Sequence, residues 1–206
     1  MTERVLLVDD DPDVRDAAAL LLSTSGYEVK AFDSAETLLE RVRPVDRGCL
    51  VLDVRLPEMS GLALQRALHE RGIRLPIVFI SGHGDIPMAV EAVNAGALDF
   101  LEKPFDENAL LERIERALQV DREQAGHTQA VALIEQRLES LTPREREVME
   151  EILRGKLNKV IAADLDLSIR TVEVHRARVL EKLHVRNGSE LVRQVLSTPA
   201  YRDWLV

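Results

Sequence analysis

Four short apolar runs in this chain each end on residues able to do chemistry, and this pattern limits the possible folds more than any other feature. RVLLV leads to Asp9 and Asp10, CLVL to Asp53, IVFI to Ser81 and DFLE to Lys103. Runs this short, rich in Val, Ile and Leu and without polar alternation, predict strands covered on both faces. Ligands of an open parallel sheet gather beyond the carboxyl ends of its strands. The spacing therefore predicts that residues far apart in sequence converge on one pocket holding three carboxylates, a hydroxyl and an ammonium.

Strands are expected near 4–9, 28–32, 49–53, 76–81 and 98–102, with amphipathic helices between them. Asp11-Pro12 looks like an N-cap followed by proline at the first helical position. Val14, Ala18, Leu21 and Leu22 then repeat at helical spacing. Leu62, Leu64 and Leu68 mark a third helix. Ile86, Val90 and Val93 mark a fourth, started near Asp85-Pro87. Asp106 caps a fifth, with Leu110, Ile114 and Leu118 on one face. Five such units predict a doubly wound, flavodoxin-like α/β domain with a five-stranded parallel sheet over residues 1–120.

Residues 121–140 form a helical linker in this reading. DREQAGHTQA is polar, and Val131, Ile134, Leu138 and Leu141 follow as a short seam that suits either a coiled coil or packing on the next domain. Residues 141–206 predict an all-α domain. Thr142-Pro143-Arg144-Glu145 is a capping box, Gly155 ends the helix it starts, Asn158 and Ser168 cap the next two, and Leu191, Val192, Val195 and Leu196 mark the last. Two helices joined by a tight turn, the second long and basic, read as a helix-turn-helix.

Charge supports this division. The net charge is −9, yet residues 1–120 hold 13 basic and 22 acidic side chains while residues 154–196 hold 9 basic and 5 acidic. Nucleic-acid binding would have to come from the local basic patch. No apolar stretch approaches the roughly 20 residues of a membrane span, and the N-terminus lacks the pattern of a secretory signal. The single cysteine, Cys49, heads an apolar run and is expected to be a buried thiol.

Three carboxylates within a few ångströms repel one another unless a cation joins them. Oxygen-only ligands with open positions suit Mg²⁺, which would neutralise an incoming phosphoryl group. One carboxylate could then act as nucleophile and form an acyl phosphate. Gly82 leaves room for the group to enter.

Residues 1–120 resemble the receiver domains of bacterial two-component response regulators, through VDDD at 8–11, VLDVRLPEMSG at 51–61, ISGHGD at 80–85 and FLEKPF at 100–105. The resemblance implies that Asp53 is the phosphoacceptor. It implies Mg²⁺ held by Asp10 and Asp53 with the backbone carbonyl of Arg55, Asp9 acting mainly through water. It implies that Ser81 and Lys103 read the phosphoryl group, that Phe100 turns inward when Ser81 moves, and that the Lys103-Pro104 bond is cis. Arg55 and His83 would tune phosphoryl lifetime. Ser81 stands where threonine is commoner.

Residues 141–196 are similar to the helix-turn-helix of NarL/FixJ (LuxR-type) regulators, and GHGDIPMAVEAVNAGALDFLEKPF points to the FixJ-type branch. Asp166 stands where that turn often has glycine. With Val172, Val179 and Leu183 inward, Arg170, Glu173, Val174, Ala177 and Arg178 are the candidates for the major groove. Lys159, Thr171, His175 and Lys182 suit phosphates, Arg176 projects nearer the inner side, and the last helix suits either a dimer seam or the core of the small domain. The expected protein is a cytoplasmic, phosphorylation-switched transcription regulator, whose face around 86–102 rearranges on phosphorylation and then either dimerises or releases the helix-turn-helix domain. Its expected partners are a sensor histidine kinase, double-stranded DNA, RNA polymerase and, when phosphorylated, a second copy, but no membrane. Two other readings stay open. A turning-over phosphotransferase lacks an acid two residues after Asp53, where Arg55 stands. A constitutive DNA-binder with a vestigial receiver would bind DNA equally before and after phosphorylation.

Overall fold

A computed structural model of the chain describes residues 3–82, 86–202 and 204. The expected roles of His83 and Asp85 lie outside these residues. The chain divides into two compact units, Met1–Gln124 and Ala125–Val206.

The first unit contains β1 (Arg4–Val8), α1 (Pro12–Thr24), β2 (Glu28–Phe32), α2 (Ala35–Arg41), β3 (Cys49–Asp53), α3 (Gly61–Glu70), β4 (Ile77–Ser81), α4 (Ile86–Asn94), β5 (Asp99–Glu102) and the start of α5 (Glu107–Glu139). The strands are all parallel in the order β2-β1-β3-β4-β5. Because β1 lies between β2 and β3, the direction of winding reverses there, and the carboxyl ends of β1 and β3 flank a natural crevice. β3 and β4 are buried at every residue, the burial that uninterrupted Val/Ile/Leu runs require. Leu50, Leu52 and Phe79 pack on one sheet face with Leu38, Leu64 and Leu68. Val5, Val51 and Ile80 pack on the other with Leu22, Leu110 and Ile114.

Local signals set the helix starts. Asp11 accepts from the N–H groups of Asp13 and Val14 ahead of Pro12, and Asp106 Oδ1 accepts from those of Asn108 and Ala109. Cys49 is fully buried, and burial pushes its thiol up to about 12. α4 differs from the expected packing. Val90 and Val93, its apolar repeat, are 54% and 50% exposed, and Ala92 is buried instead. Gln65 on α3 is fully buried and donates to the carbonyl oxygens of Ala92 and Ala95 at 3.4 and 3.1 Å, tying down the end of α4.

The second unit is helical: the end of α5, then α6 (Pro143–Leu153), α7 (Asn158–Asp164), α8 (Ile169–Lys182) and α9 (Gly188–Leu196). α5 runs unbroken through the polar stretch at 121–130. Leu138 and Leu141 are buried in this unit's core, so the seam packs on its own domain. The Thr142/Glu145 capping box forms in both directions. Asp166 takes the left-handed conformation at φ 53, where aspartate is among the few tolerated side chains. His184 does the same at φ 53, a turn that the sequence reading passed over.

Of the two readings of the last helix the core packing is favoured, and one further expectation needs correction. Leu191 and Val195 on α9 are fully buried core residues, leaving only half-buried Val192 and Leu196 for a dimer seam. Asn158 is not the cap of α7. Leu157 holds that position without a side-chain hydrogen bond and is 75% exposed, while Asn158 Oδ1 accepts from Arg176 at 3.2 Å. Leu157→Ser should therefore stabilise the second unit by about 1 kcal/mol, read as a raised thermal midpoint. An unchanged midpoint would mean that solvent already satisfies those N–H groups equally well.

Candidate functional site

The carboxyl ends of β1, β3, β4 and β5 bring together the residues that end the four apolar runs. Ligand atoms of Asp9, Asp10 and Asp53 lie within 4.8 Å of one another. Asp9 is fully buried, Asp53 is 7% exposed and Asp10 faces solvent. Lys103 reaches across from β5, its Nζ 2.7 Å from Asp9 Oδ2 and 2.5 Å from Asp53 Oδ2. Asp53 Oδ1 accepts from the Arg55 N–H at 2.8 Å, and Asp9 Oδ1 from the Asp11 N–H at 3.0 Å. Ser81 is buried at the end of β4, and its carbonyl oxygen accepts from the Lys103 N–H at 2.6 Å. The Lys103-Pro104 bond is cis. Phe100 is half-buried against the α3 side of the sheet. A side chain at Gly82 would meet nothing within 4 Å among the described residues.

Burial pushes the Asp9 carboxyl up, the Asp53 charge adds to this, and Lys103 opposes it. Burial also works against the Lys103 ammonium, but its bonds to Asp53 and Asp9 outweigh that and hold it above its ordinary range. A carboxyl raised on folding favours the fold below its unfolded pKa, near 3.9, and that contribution is lost as pH rises through the raised value. At neutral pH the buried Asp9 charge therefore works against folding. The pocket is short of positive charge in spite of Lys103.

The donor set fits a small hard cation: three carboxylates, oxygen ligands only, and one acid open to solvent. Among the described residues the Asp10 carboxylate makes no hydrogen bond or ion pair that a metal would have to displace, whereas the Oδ2 atoms of Asp9 and Asp53 are shared with Lys103.

Two contributors escaped the sequence reading. Arg15, on the first turns of α1, donates to the carbonyl oxygens of Asp9 and Asp10 at 2.8 and 3.3 Å and fixes the acidic turn. Gly61 begins α3 against the end of β3, where an added Cβ would stand 2.3 Å from the Asp53 carbonyl oxygen. Its place in the VLDVRLPEMSG motif was the available signal.

In the second unit, Val172, Val179 and Leu183 are buried, and Arg170, Glu173, Val174, Ala177 and Arg178 are all exposed on the opposite face of α8. Lys159 is exposed on α7. Thr171 is half-buried, with its hydroxyl 2.7 Å from that of the cap residue Ser168. His175 is half-buried, with Nδ1 enclosed and unpartnered among the described residues. Lys182 does not project freely. Its ammonium lies 2.6 Å from Glu145 Oε2 and 3.0 Å from the Ser140 carbonyl oxygen, joining α8 to the start of α6.

Burial opposes ionisation of Glu145, but Lys182 and the Thr142 N–H outweigh it and hold the carboxyl below its usual range. That contribution is present above the unfolded pKa, near 4.3, and is lost as pH falls through the lower folded value. Lys182→Ala should cost about 1–3 kcal/mol of the second unit's stability by stranding Glu145, more than it costs in DNA affinity. Urea unfolding checks this, and a variant with unchanged stability and a lowered salt slope of DNA binding would return Lys182 to the phosphate contacts.

Comparison with known proteins places both units. Residues 5–115 match the family described as response regulator receiver domain, and residues 139–195 the family described as bacterial regulatory proteins, luxR family. Response regulator protein TodT of Pseudomonas putida is 47% identical over 189 residues, spanning 92% of this chain and 83% of its own. Transcriptional regulatory protein FixJ of Rhizobium meliloti is 45% identical over 199 residues, spanning 94% and 95%. The solved structure of response regulator StyR matches with a TM-score of 0.82 at 47% identity, covering 95% of this chain and 98% of that one.

Proposed function

The chain belongs to the two-component response regulators that join a receiver domain to a LuxR-type DNA-binding domain, and from that premise we propose that Asp53 accepts a phosphoryl group which switches dimerisation and DNA binding. Such a protein is a transcription regulator. The observation that carries the proposal is the Asp53 carboxylate at the mouth of an acidic pocket, oriented by the Arg55 N–H and faced by the Lys103 ammonium.

In this reading a sensor histidine kinase is the donor. An Asp53 oxygen attacks phosphorus, the bond to the donor breaks with its electron pair leaving on the donor, and an acyl phosphate remains. Asp9, Asp10, Asp53 and the Arg55 carbonyl would hold Mg²⁺, which supplies charge neutralisation when bound. Lys103 leaves the Asp53 carboxylate for the phosphoryl oxygens, and Ser81 donates its hydroxyl to the same group. Arg15 keeps the Asp9–Asp10 turn in place.

Because Lys103 competes with a cation for the same oxygens, Lys103→Ala should bind Mg²⁺ about tenfold more tightly while forming the phosphoryl adduct more slowly. Calorimetric Mg²⁺ titration checks the first part. Weaker Mg²⁺ binding would show that Lys103 organises the carboxylates instead of competing for them.

Movement of Ser81 then draws Phe100 inward and rearranges the face at 86–102. Val90 and Val93, exposed on α4, suit a homodimer contact made there. The DNA-binding dimer would present Arg170, Glu173, Val174, Ala177 and Arg178 to the major groove. Lys159, Thr171 and His175 would lie on phosphates, and the half-sites would stand roughly 34 Å apart. RNA polymerase is the further partner that regulation of transcription calls for. No helix among the described residues is long and apolar enough to cross a membrane, and we place the protein's action in the cytoplasm with its DNA.

The test is intact mass after incubation with Mg²⁺ and a small phosphodonor. One phosphoryl adduct is expected, and repeated turnover of the donor with no retained adduct would favour the phosphotransferase reading.

A further inference from the structure

We propose that the cleft between α2 and the β1–β2 edge of the sheet binds a small organic monoanion with an apolar body, of the class of a medium-chain carboxylate. The cleft has a volume of about 340 Å³, within the range of small-ligand sites. Its floor is apolar, formed by the nearly buried Leu6, Leu38 and Val42 with half-buried Phe32.

The rim is cationic. Lys30 is the register partner of Leu6, so it projects on the same sheet face as the core beneath α2. Arg41 enters from the last turn of α2. Among the described residues neither makes an ion pair or a side-chain hydrogen bond, although the unit is strongly acidic overall. The third rim cation, Arg4, is committed to Glu28 at 3.2 Å and Asp46 at 3.7 Å. Asp46 also lines the cleft, its charge met by Arg4. Two uncommitted cations above an apolar floor therefore favour a carboxylate with a hydrocarbon body over a neutral molecule of the same shape. An occupant would lie one hydrogen bond from the acidic pocket, because the Phe32 carbonyl oxygen accepts from the Asp9 N–H at 3.2 Å.

The bland role for a lysine here is to guard an edge strand against pairing with another chain. The experiment separates the two. Hexanoate is titrated into the isotopically labelled full chain, with amide resonances followed by NMR and 1-hexanol as the uncharged control. The expected result is saturable movement of residues 30–32 and 38–42, with 1-hexanol and the Lys30→Gln/Arg41→Gln variant each about tenfold weaker. Both residues are exposed, and circular dichroism verifies that the variant keeps its fold. The proposal is overturned by no saturable movement up to roughly 10 mM hexanoate, or by equal binding of 1-hexanol. It is overturned as well if the double variant responds like the wild type, or merely self-associates with its hexanoate response unchanged.

Discussion

Asp53→Asn is expected to abolish the phosphoryl adduct while the first unit stays folded. The asparagine has the same shape and can still accept from the Arg55 N–H, but its amide oxygen is not a nucleophile at phosphorus. Stability should change by no more than about 1 kcal/mol, because losing the contact with Lys103 is offset by relief of repulsion with Asp9. Intact mass and thermal unfolding, run side by side on the variant and the wild type, check both halves. An adduct of equal yield on the variant would move the phosphoacceptor elsewhere.

Gly61→Ala should destabilise the first unit by about 3 kcal/mol or more. The new Cβ would stand 2.3 Å from the Asp53 carbonyl oxygen, 2.9 Å from the Phe79 ring and 3.1 Å from the Val54 Cα. Two of these neighbours are backbone of the segment that presents the nucleophile, so α3 must move away or the end of β3 must bend. Phosphoryl acceptance should fall along with stability for that reason. Urea unfolding monitored on the first unit reads the effect. A change within about 0.5 kcal/mol would mean that α3 can shift freely and that the close approach is incidental.

How legible each part was depends on whether its cause is local. The strands could be read because a parallel sheet covered on both faces needs uninterrupted apolar runs, and β3 and β4 are buried at every position. The acidic pocket followed from topology, since strand ends converge however far apart they lie in sequence. Caps such as Asp11 and the Thr142/Glu145 box are encoded within four residues and were equally plain.

What escaped depends on tertiary neighbours. Val90 and Val93 have the spacing of a packed stripe, but Ala92 is the residue α4 buries. Leu191 and Val195 look the same in sequence whether they face a partner or their own core, and the packing of α6 against α9 decides for the core. The helical wheel puts Lys182 on the flank of α8, but it cannot show that Glu145 waits there. Gly61 and Arg15 act through backbone atoms at the pocket; the motif around Gly61 carried a signal for it, whereas no pattern of side chains marks Arg15.

The most direct test of the central claim is the DNA affinity of the protein before and after treatment with Mg²⁺ and a small phosphodonor, with Asp53→Asn alongside. Fluorescence anisotropy on a duplex selected from a random pool, at fixed salt, gives the affinities. The account predicts tighter binding by about tenfold or more for the treated wild type and no change for the variant. Equal affinity of the treated and untreated wild type, with the adduct present by mass, would contradict it and leave a constitutive DNA-binder in its place.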